Sequence, residues 1–365
     1  CECTLGVKYR IINEDGTVSG GPMHYLSKGL AEKGQASLGK ILAVFFSICC
    51  IGGALGGGNM FQANQSFQQF VSVTGGDGSF FADKGWLFGL IISIILGFVI
   101  IGGIKSIAKV TSKLVPLMAI IYLAAGLVII LINIAGVPEA IIRIISEAFS
   151  PSAAAGGALG ALIIGFQRAA FSNEAGLGSA PIAHSAVKSD KPVTEGIVSV
   201  LEPFIDTIII CTLTGLTIIS TGAWQHTEFY VSRIDPSFTG EILNGSLLTS
   251  FAFKEGLSWL MPYGDKIITI GVLLFAISTV ISWSFYGDRS TEYLFGEKAI
   301  PVYRVFYITF VFIGAIATLE AMWAFGDAAL GFMTFPNLIS IIMLSGVLKK
   351  MTNEYFSMEH KVYKK

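Results

Sequence analysis

Apolar and polar positions along this chain are sorted into long blocks, not into the short periods of a soluble fold. Charge-free stretches lie between Lys40 and Asp77, Lys84 and Lys105, Lys113 and Glu139, Glu147 and Arg168, Asp206 and Glu228, Lys266 and Asp288, Arg304 and Glu320, and Asp327 and Lys349. A helix needs about 20 apolar residues to cross the hydrocarbon of a bilayer, and only the stretch after Arg304 is clearly shorter. The period-two alternation of a membrane barrel is missing, which leaves helices as the spanning element. The pattern predicts eight spans, near 38–58, 86–104, 114–135, 155–178, 197–220, 266–286, 302–319 and 326–348. Pro138–Phe149 reads as an amphipathic segment on the membrane surface, and 246–260 as a short helix in a long loop.

Composition sharpens this to an all-α multi-pass membrane protein, a single transmembrane unit over residues 1–365. Charged residues are 13% of the chain and the nine hydrophobic types 53%, with mean hydropathy +0.70. Soluble domains carry about 25% charge. The near-balance of 24 Lys and Arg against 25 Asp and Glu offers no basic stripe for nucleic acid. With residues 1–40 placed in the cytoplasm, eight spans return the C-terminus there, and 18 Lys and Arg fall inside against 5 outside, as the positive-inside rule asks. The five cysteines show no metal-ligand spacing and no disulfide framework. The chain opens on Cys1 in a charged segment, without a signal peptide, which reads as an N-terminally truncated piece.

Three places carry candidate chemistry. Glycine, 42 residues in all and well above the usual ~7%, clusters at Gly52–Gly58, directly before Asn59, Gln62, Asn64 and Gln65. Such a run suits either close small-residue packing or the approach of a ligand, and the amides need partners at membrane depth. Around 165–184, Arg168 and Glu174 sit in an apolar span beside Gly176, Gly178 and Pro181. Charges there must face protein or water, and a Gly/Pro-interrupted span is the pattern of a transporter site; an ion pair at a helix end explains them equally. In the span near 266–286, Ser278, Thr279, Ser282, Trp283 and Ser284 bunch together. Thr279 and Trp283, four apart, share a helix face. Their oxygens suit a hard cation, or simply bond back to their own helix. Glu202 and Asp206 share a face and could hold a cation or a proton. His184 reads as structural, and Glu320 and Asp327 as solvated residues flanking an outer turn.

The run Phe171-Ser172-Asn173-Glu174-Ala175-Gly176-Leu177-Gly178-Ser179-Ala180-Pro181-Ile182-Ala183-His184 resembles the signature of the alanine or glycine:cation (sodium:alanine) symporter family. Gly58–Asn64, Val7–Arg10 with Gly20–Met23, and Pro336–Ile339 are similar to further stretches of that family, in its order. The resemblance implies a LeuT-like inverted-repeat fold, of which this chain would carry core helices 3 to 10. It would lack core helix 1, which supplies much of the coordination in that fold, and such a piece should not transport. It also implies that Gly58 and Gln62, with Thr279 and Trp283 opposite, line the site of a small neutral amino acid. Phe166 would sit near them, and Ser278, with Thr279, would ligate Na⁺. The expected activity is symport of alanine or glycine with Na⁺ across the cell membrane, with no enzymatic step. A proton-coupled permease using Glu174, Glu202 or Asp206 is the alternative, followed by a channel or a non-transporting membrane protein.

Overall fold

The computed structural model describes all residues except 15, 150–156, 236, 261–263 and 359–365. The first two residues of the expected 155–178 span, and the Lys361, Lys364 and Lys365 used in the charge count, lie outside the described residues. The described residues are mostly helical, and the strands among them are a two-residue antiparallel pairing of Ile11–Ile12 with Val18–Ser19.

The elements used below are α1 (Glu2–Tyr9), α2 (Ala36–Val73), α3 (Gly85–Ile101), α4 (Gly103–Ile132), α5 (Val137–Ala148), α6 (Gly157–Ser172), α7 (Pro192–Ser220), α8 (Ser246–Leu257), α9 (Gly264–Phe295), α10 (Ile300–Ile316) and α11 (Leu319–Met343). Six helices among the described residues are long and apolar enough to cross a membrane: α2, α4, α7, the Ile268–Phe295 part of α9, α10 with its preceding turn, and α11. The other two expected spans hold α3, of 17 residues, and α6, of 16. Helices α5 and α8 occupy the two segments read as accessory; on α5, Ile141, Ile142, Ile144 and Ile145 are exposed along one side.

Charge-free windows misplace several helix ends. Helix α4 begins at Gly103 and carries Lys105, Lys109 and Lys113 in its first turns. Helix α9 runs on past Asp288 to Phe295, and α11 starts eight residues before Asp327. Each of these charges has water or a partner within a continuous helix, so a charge does not mark an end.

Many exposed side chains on the spans are large and apolar, among them Phe98, Ile101, Ile120 and Leu131. Lipid solvates these as well as a protein core does, so helix association rests on close packing and hydrogen bonds. Glycine supplies the closeness. A Cβ on Gly89 would come 2.9 Å from the Ala315 Cβ, and one on Gly314 would come 2.6 Å from the Met60 Cα. Thus α3 seats on α10, and α10 on the middle of α2. Helix α9 runs between α2 and α4, and α11 lies along α2. Between them sit the buried Phe46, Tyr25, Tyr307 and Ile100.

Polar knots pin the bundle. Gln69 donates from Nε2 to Ser250 Oγ (2.7 Å) and Thr269 Oγ1 (2.9 Å), joining α2, α8 and α9. Asn59 Nδ2 donates to the Tyr307 carbonyl at 2.7 Å. Glu2, on α1, accepts from the Gly176 N–H and from Asn337 Nδ2, both at 2.8 Å, and so ties the start of the chain to the 173–179 turn and to α11.

Candidate functional site

The glycine run does not break its helix. Gly56–Met60 forms one π-helical turn inside α2, a widening that is common at functional sites. The missing side chains leave room for aromatic rings on two sides. A Cβ on Gly58 would lie 2.3 Å from Trp283 Cγ; one on Gly57 would lie 3.4 Å from Phe171 Cε1. Gln62, one turn on, reaches back with Nε2 to the Gly57 carbonyl at 3.2 Å. It lines a gap of only about 10 Å³, close to the minimum for one water.

The interruption expected in the 165–184 segment is real. Helix α6 stops at Ser172, and after a turn with Gly176 at φ 90° and Gly178 at φ 92° the chain resumes as Ala180–His184. At Gly178 the positive φ and the space agree: a Cβ would lie 2.7 Å from both Phe46 Cε2 and Pro22 Cγ. The turn sends Glu174 and His184 towards α9.

There a cavity of about 320 Å³ opens, lined by Glu174, His184 and Glu202 on one side and by Ser278, Thr279, Ser282, Trp283 and Tyr286 of α9 on the other. Its volume is that of about ten waters. Trp283 is buried and meets Tyr286 edge-on at 5.2 Å. Ser278 donates to the Phe275 carbonyl at 2.8 Å. That bond uses its hydrogen and leaves oxygen lone pairs for a cation. His184 Nδ1 lies 2.6 Å from Glu195 Oε1, a partner that fixes the ring.

Of the residues that the sequence singles out, Ser278, Thr279 and Trp283 therefore share one cavity, and Gly58 packs behind Trp283 without lining the cavity. Gln62 is held at the glycine turn, outside the cavity lining. Phe166 is 69% exposed on the outer side of α6 and is not brought to the others. A resemblance aligns positions along a helix but not its rotation; the aromatic of α6 that faces the glycine turn is Phe171.

Arg168 and Glu174 are not partners. Arg168 Nη2 donates to Asp327 Oδ2 at 2.8 Å, which corrects the expectation that Asp327 is solvated. Arg168 also lies over the Trp323 ring, 3.8 Å from its centroid, and Phe61, Phe171 and Trp323 pack within 5.3–5.9 Å of one another. Asp327 lies in the third turn of α11, whereas the charge-free window starts that span at 326 and so gives no signal of its depth.

The sodium:alanine symporter family matches residues 1–365. The chain belongs to that family. It is 42% identical to the sodium/alanine symporter AgcS of Methanococcus maripaludis, over 97% of this chain and 73% of that protein. An uncharacterized transporter of Haemophilus influenzae is 39% identical over the same shares. The probable sodium/glutamine symporter GlnT of Bacillus subtilis is 31% identical over 97% of this chain and 68% of its own length. Family and relatives are transporters, not enzymes, and in a sodium:alanine symporter Na⁺ is the co-transported ion. The family also accounts for the apolar spans, which make this a membrane protein.

Proposed function

We propose that a protein containing this chain moves a small neutral amino acid, alanine above all, together with Na⁺ across the cell membrane, with both described ends of the chain on the cytoplasmic side. The observation that carries the reading is the sharing of one cavity by Ser278, Thr279 and Trp283, with Gly58 directly under the indole. Hydroxyl oxygens are hard ligands suited to Na⁺. The indole, backed by a glycine that permits no side chain, gives the cavity an apolar wall against which a substrate methyl group can rest. The Lys and Arg bias sets the orientation. The LeuT-like inverted-repeat arrangement is the fold that this reading requires.

Na⁺ moving inward supplies about 2.3 kcal/mol per 100 mV for each charge, and its concentration gradient adds to that. Coupling needs Na⁺ and substrate to favour the same states of the protein. In this proposal Ser278 and Thr279 sense the ion, Trp283 senses the substrate, and one α9 turn links them.

Glu174 and Glu202 line the same cavity, and that supports proton coupling as the second reading. Uptake of labelled alanine into vesicles separates the two. Uptake that collapses when choline replaces Na⁺, at constant pH, is the expected result; uptake that persists in choline and follows a pH gradient overturns Na⁺ coupling. Ser278→Ala and Thr279→Ala should raise the Na⁺ concentration for half-maximal uptake more than they weaken alanine at saturating Na⁺. Wild-type Na⁺ dependence in both variants removes them as ligands.

A further inference from the structure

The cytoplasmic end of the bundle, in the orientation proposed above, carries a cavity that the transport reading does not use. It has a volume of about 420 Å³ and is lined by Lys8, Glu32, Lys33, Gly346, Lys350 and Glu354. Three elements meet there: the end of α1, the segment that closes with the short helix Leu30–Glu32, and the helix that follows α11, here α12 (Ser345–Ser357). Gly29 lets them meet, since a Cβ on it would lie 2.8 Å from Leu344 Cδ1 and 3.2 Å from Tyr9 Cζ. Tyr9 donates to Glu32 Oε2 at 2.7 Å, and Lys28 Nζ donates to the Tyr9 carbonyl at 3.2 Å, which fixes the wall on that side. A Cβ on Gly346 would lie 4.0 Å from Lys33 Nζ, so that ammonium stands over the first turn of α12.

The charges of the lining are unequally committed. Lys350 pairs with Glu354 at 3.9 Å, and Glu32 holds the Tyr9 hydroxyl. Lys8 and Lys33, both exposed, form no ion pair among the described residues. Three ammonium groups against two carboxylates leave one positive charge. The complement is an oxygen-rich group with one negative charge, and a lysine is a point-charge partner for phosphate. The partial positive charge at the start of α12 adds to the same field. Position indicates where the phosphate comes from. Lys33 stands three residues before α2 begins, and Gly346 three residues after α11 ends. Those two spans pack along each other, and near these ends Ile41 and Ile342 are 67% and 72% exposed, as side chains facing hydrocarbon are. The cavity therefore lies where hydrocarbon gives way to headgroups. Basic pockets between spans on the cytoplasmic side suit anionic headgroups.

We propose that this cavity binds the phosphodiester headgroup of an anionic lipid of the inner leaflet. The phosphate oxygens accept from Lys8 and Lys33, and the hydroxyls of a phosphoglycerol headgroup donate to Glu32. A lipid held there ties α1 to the cytoplasmic ends of α2 and α11. The site requires no particular transported substrate; only the choice of leaflet follows from the orientation proposed above.

The test titrates the purified protein in detergent with phosphatidylglycerol or with phosphatidylcholine and counts bound lipid by native mass spectrometry. One phosphatidylglycerol per chain should bind at least tenfold more tightly than phosphatidylcholine. Lys8→Gln together with Lys33→Gln should remove that preference. Lys40→Gln together with Lys349→Gln takes the same charge from exposed lysines outside the lining and should keep it. A control pair that loses the preference equally shows diffuse surface attraction and overturns the site. So does a wild type that binds both lipids alike. Glycerol phosphate at the concentration of the lipid should not displace it; full displacement assigns the cavity to a soluble phosphate and overturns the lipid. Alanine uptake is measured separately, and its failure refutes the proposed function while leaving the lipid site standing.

Discussion

At the scale of single residues, the contact between Gly58 and Trp283 is the tightest test of the site. Gly58→Ala puts a Cβ 2.3 Å from Trp283 Cγ and 2.5 Å from its Cβ, and the near end of a side chain on a helix cannot swing away. Overpacking of this kind costs about 1–3 kcal/mol. A thermal-shift measurement should show a lower melting temperature and uptake should fall. Adding Trp283→Leu should recover part of the stability, and a double mutant that only adds the two losses means the residues do not touch. Trp283→Ala alone should weaken alanine and favour leucine by about 1–3 kcal/mol in relative terms, the size of a methylene effect in an apolar pocket. Competition by glycine, alanine, valine and leucine measures the ranking; an unaltered ranking takes Trp283 out of the pocket. These contacts could not be read from the chain, because Gly58 and Trp283 are 225 positions apart and the rotation of α2 is set by its neighbours. The hydroxyl-and-indole face of α9 was legible, because Thr279 and Trp283 are four apart on one helix.

Among elements, the joint between α9 and α10 rests on a charge pair. Arg304 holds Asp288 with Nη2 at 2.6 Å and Nε at 3.0 Å, and gives Nη1 to the Ile101 carbonyl at the end of α3. The Asp288 side chain is 1% exposed and that of Arg304 18%. Removing one partner of a buried pair costs about 3–5 kcal/mol, since the other charge stays behind. Arg304→Gln should therefore lower the stability of the purified protein more than the double variant Arg304→Gln with Asp288→Asn does. Equal losses in denaturation would show that the pair is solvated. From the sequence, Asp288 marks the end of a charge-free window and looks like a boundary. Its burial within α9 depends on Arg304, which a neighbouring helix brings to it.

For the whole molecule, acid is the expected weakness, and His24 is one source. At the end of the short helix Pro22–His24, outside the spans, its imidazole is buried against Tyr293, 5.6 Å away. Burial, with the Lys28 and Arg289 charges adding to it, pushes its pKa down to about 4. Ser19 Oγ donates to Glu292 and lies 3.1 Å from His24 Nε2, an arrangement that suits a neutral ring with its proton on Nε2. The unfolded chain takes up that proton near pH 6.5, whereas the folded one resists until about pH 4. The contribution is complete above pH 6.5 and is lost as the pH falls towards 4. The melting temperature in detergent should fall from pH 7.5 to pH 5, and His24→Gln should flatten that slope. An unchanged slope would show that His24 titrates alike in both states.

What the sequence determined by itself was what lipid imposes on any chain. Blocks of apolar residues must become helices, because hydrocarbon offers no partner to a free backbone group, and glycines with a proline interrupt the 165–184 segment at the place expected. The family motif Phe171–His184 was equally legible, since it is a contiguous string. Tertiary structure decided which buried charges meet: Arg168 finds Asp327 and not Glu174, Asp288 finds Arg304, and Glu2 finds Asn337. It also decided that Gly56–Met60 widens α2 without breaking it, and that Phe171 instead of Phe166 faces that turn. The physical reason is common to all of these. In a bilayer a helix forms from its own sequence, whereas its rotation and depth follow from the glycine contacts and polar pairs that neighbouring helices supply, and those are separated by tens to hundreds of residues along the chain.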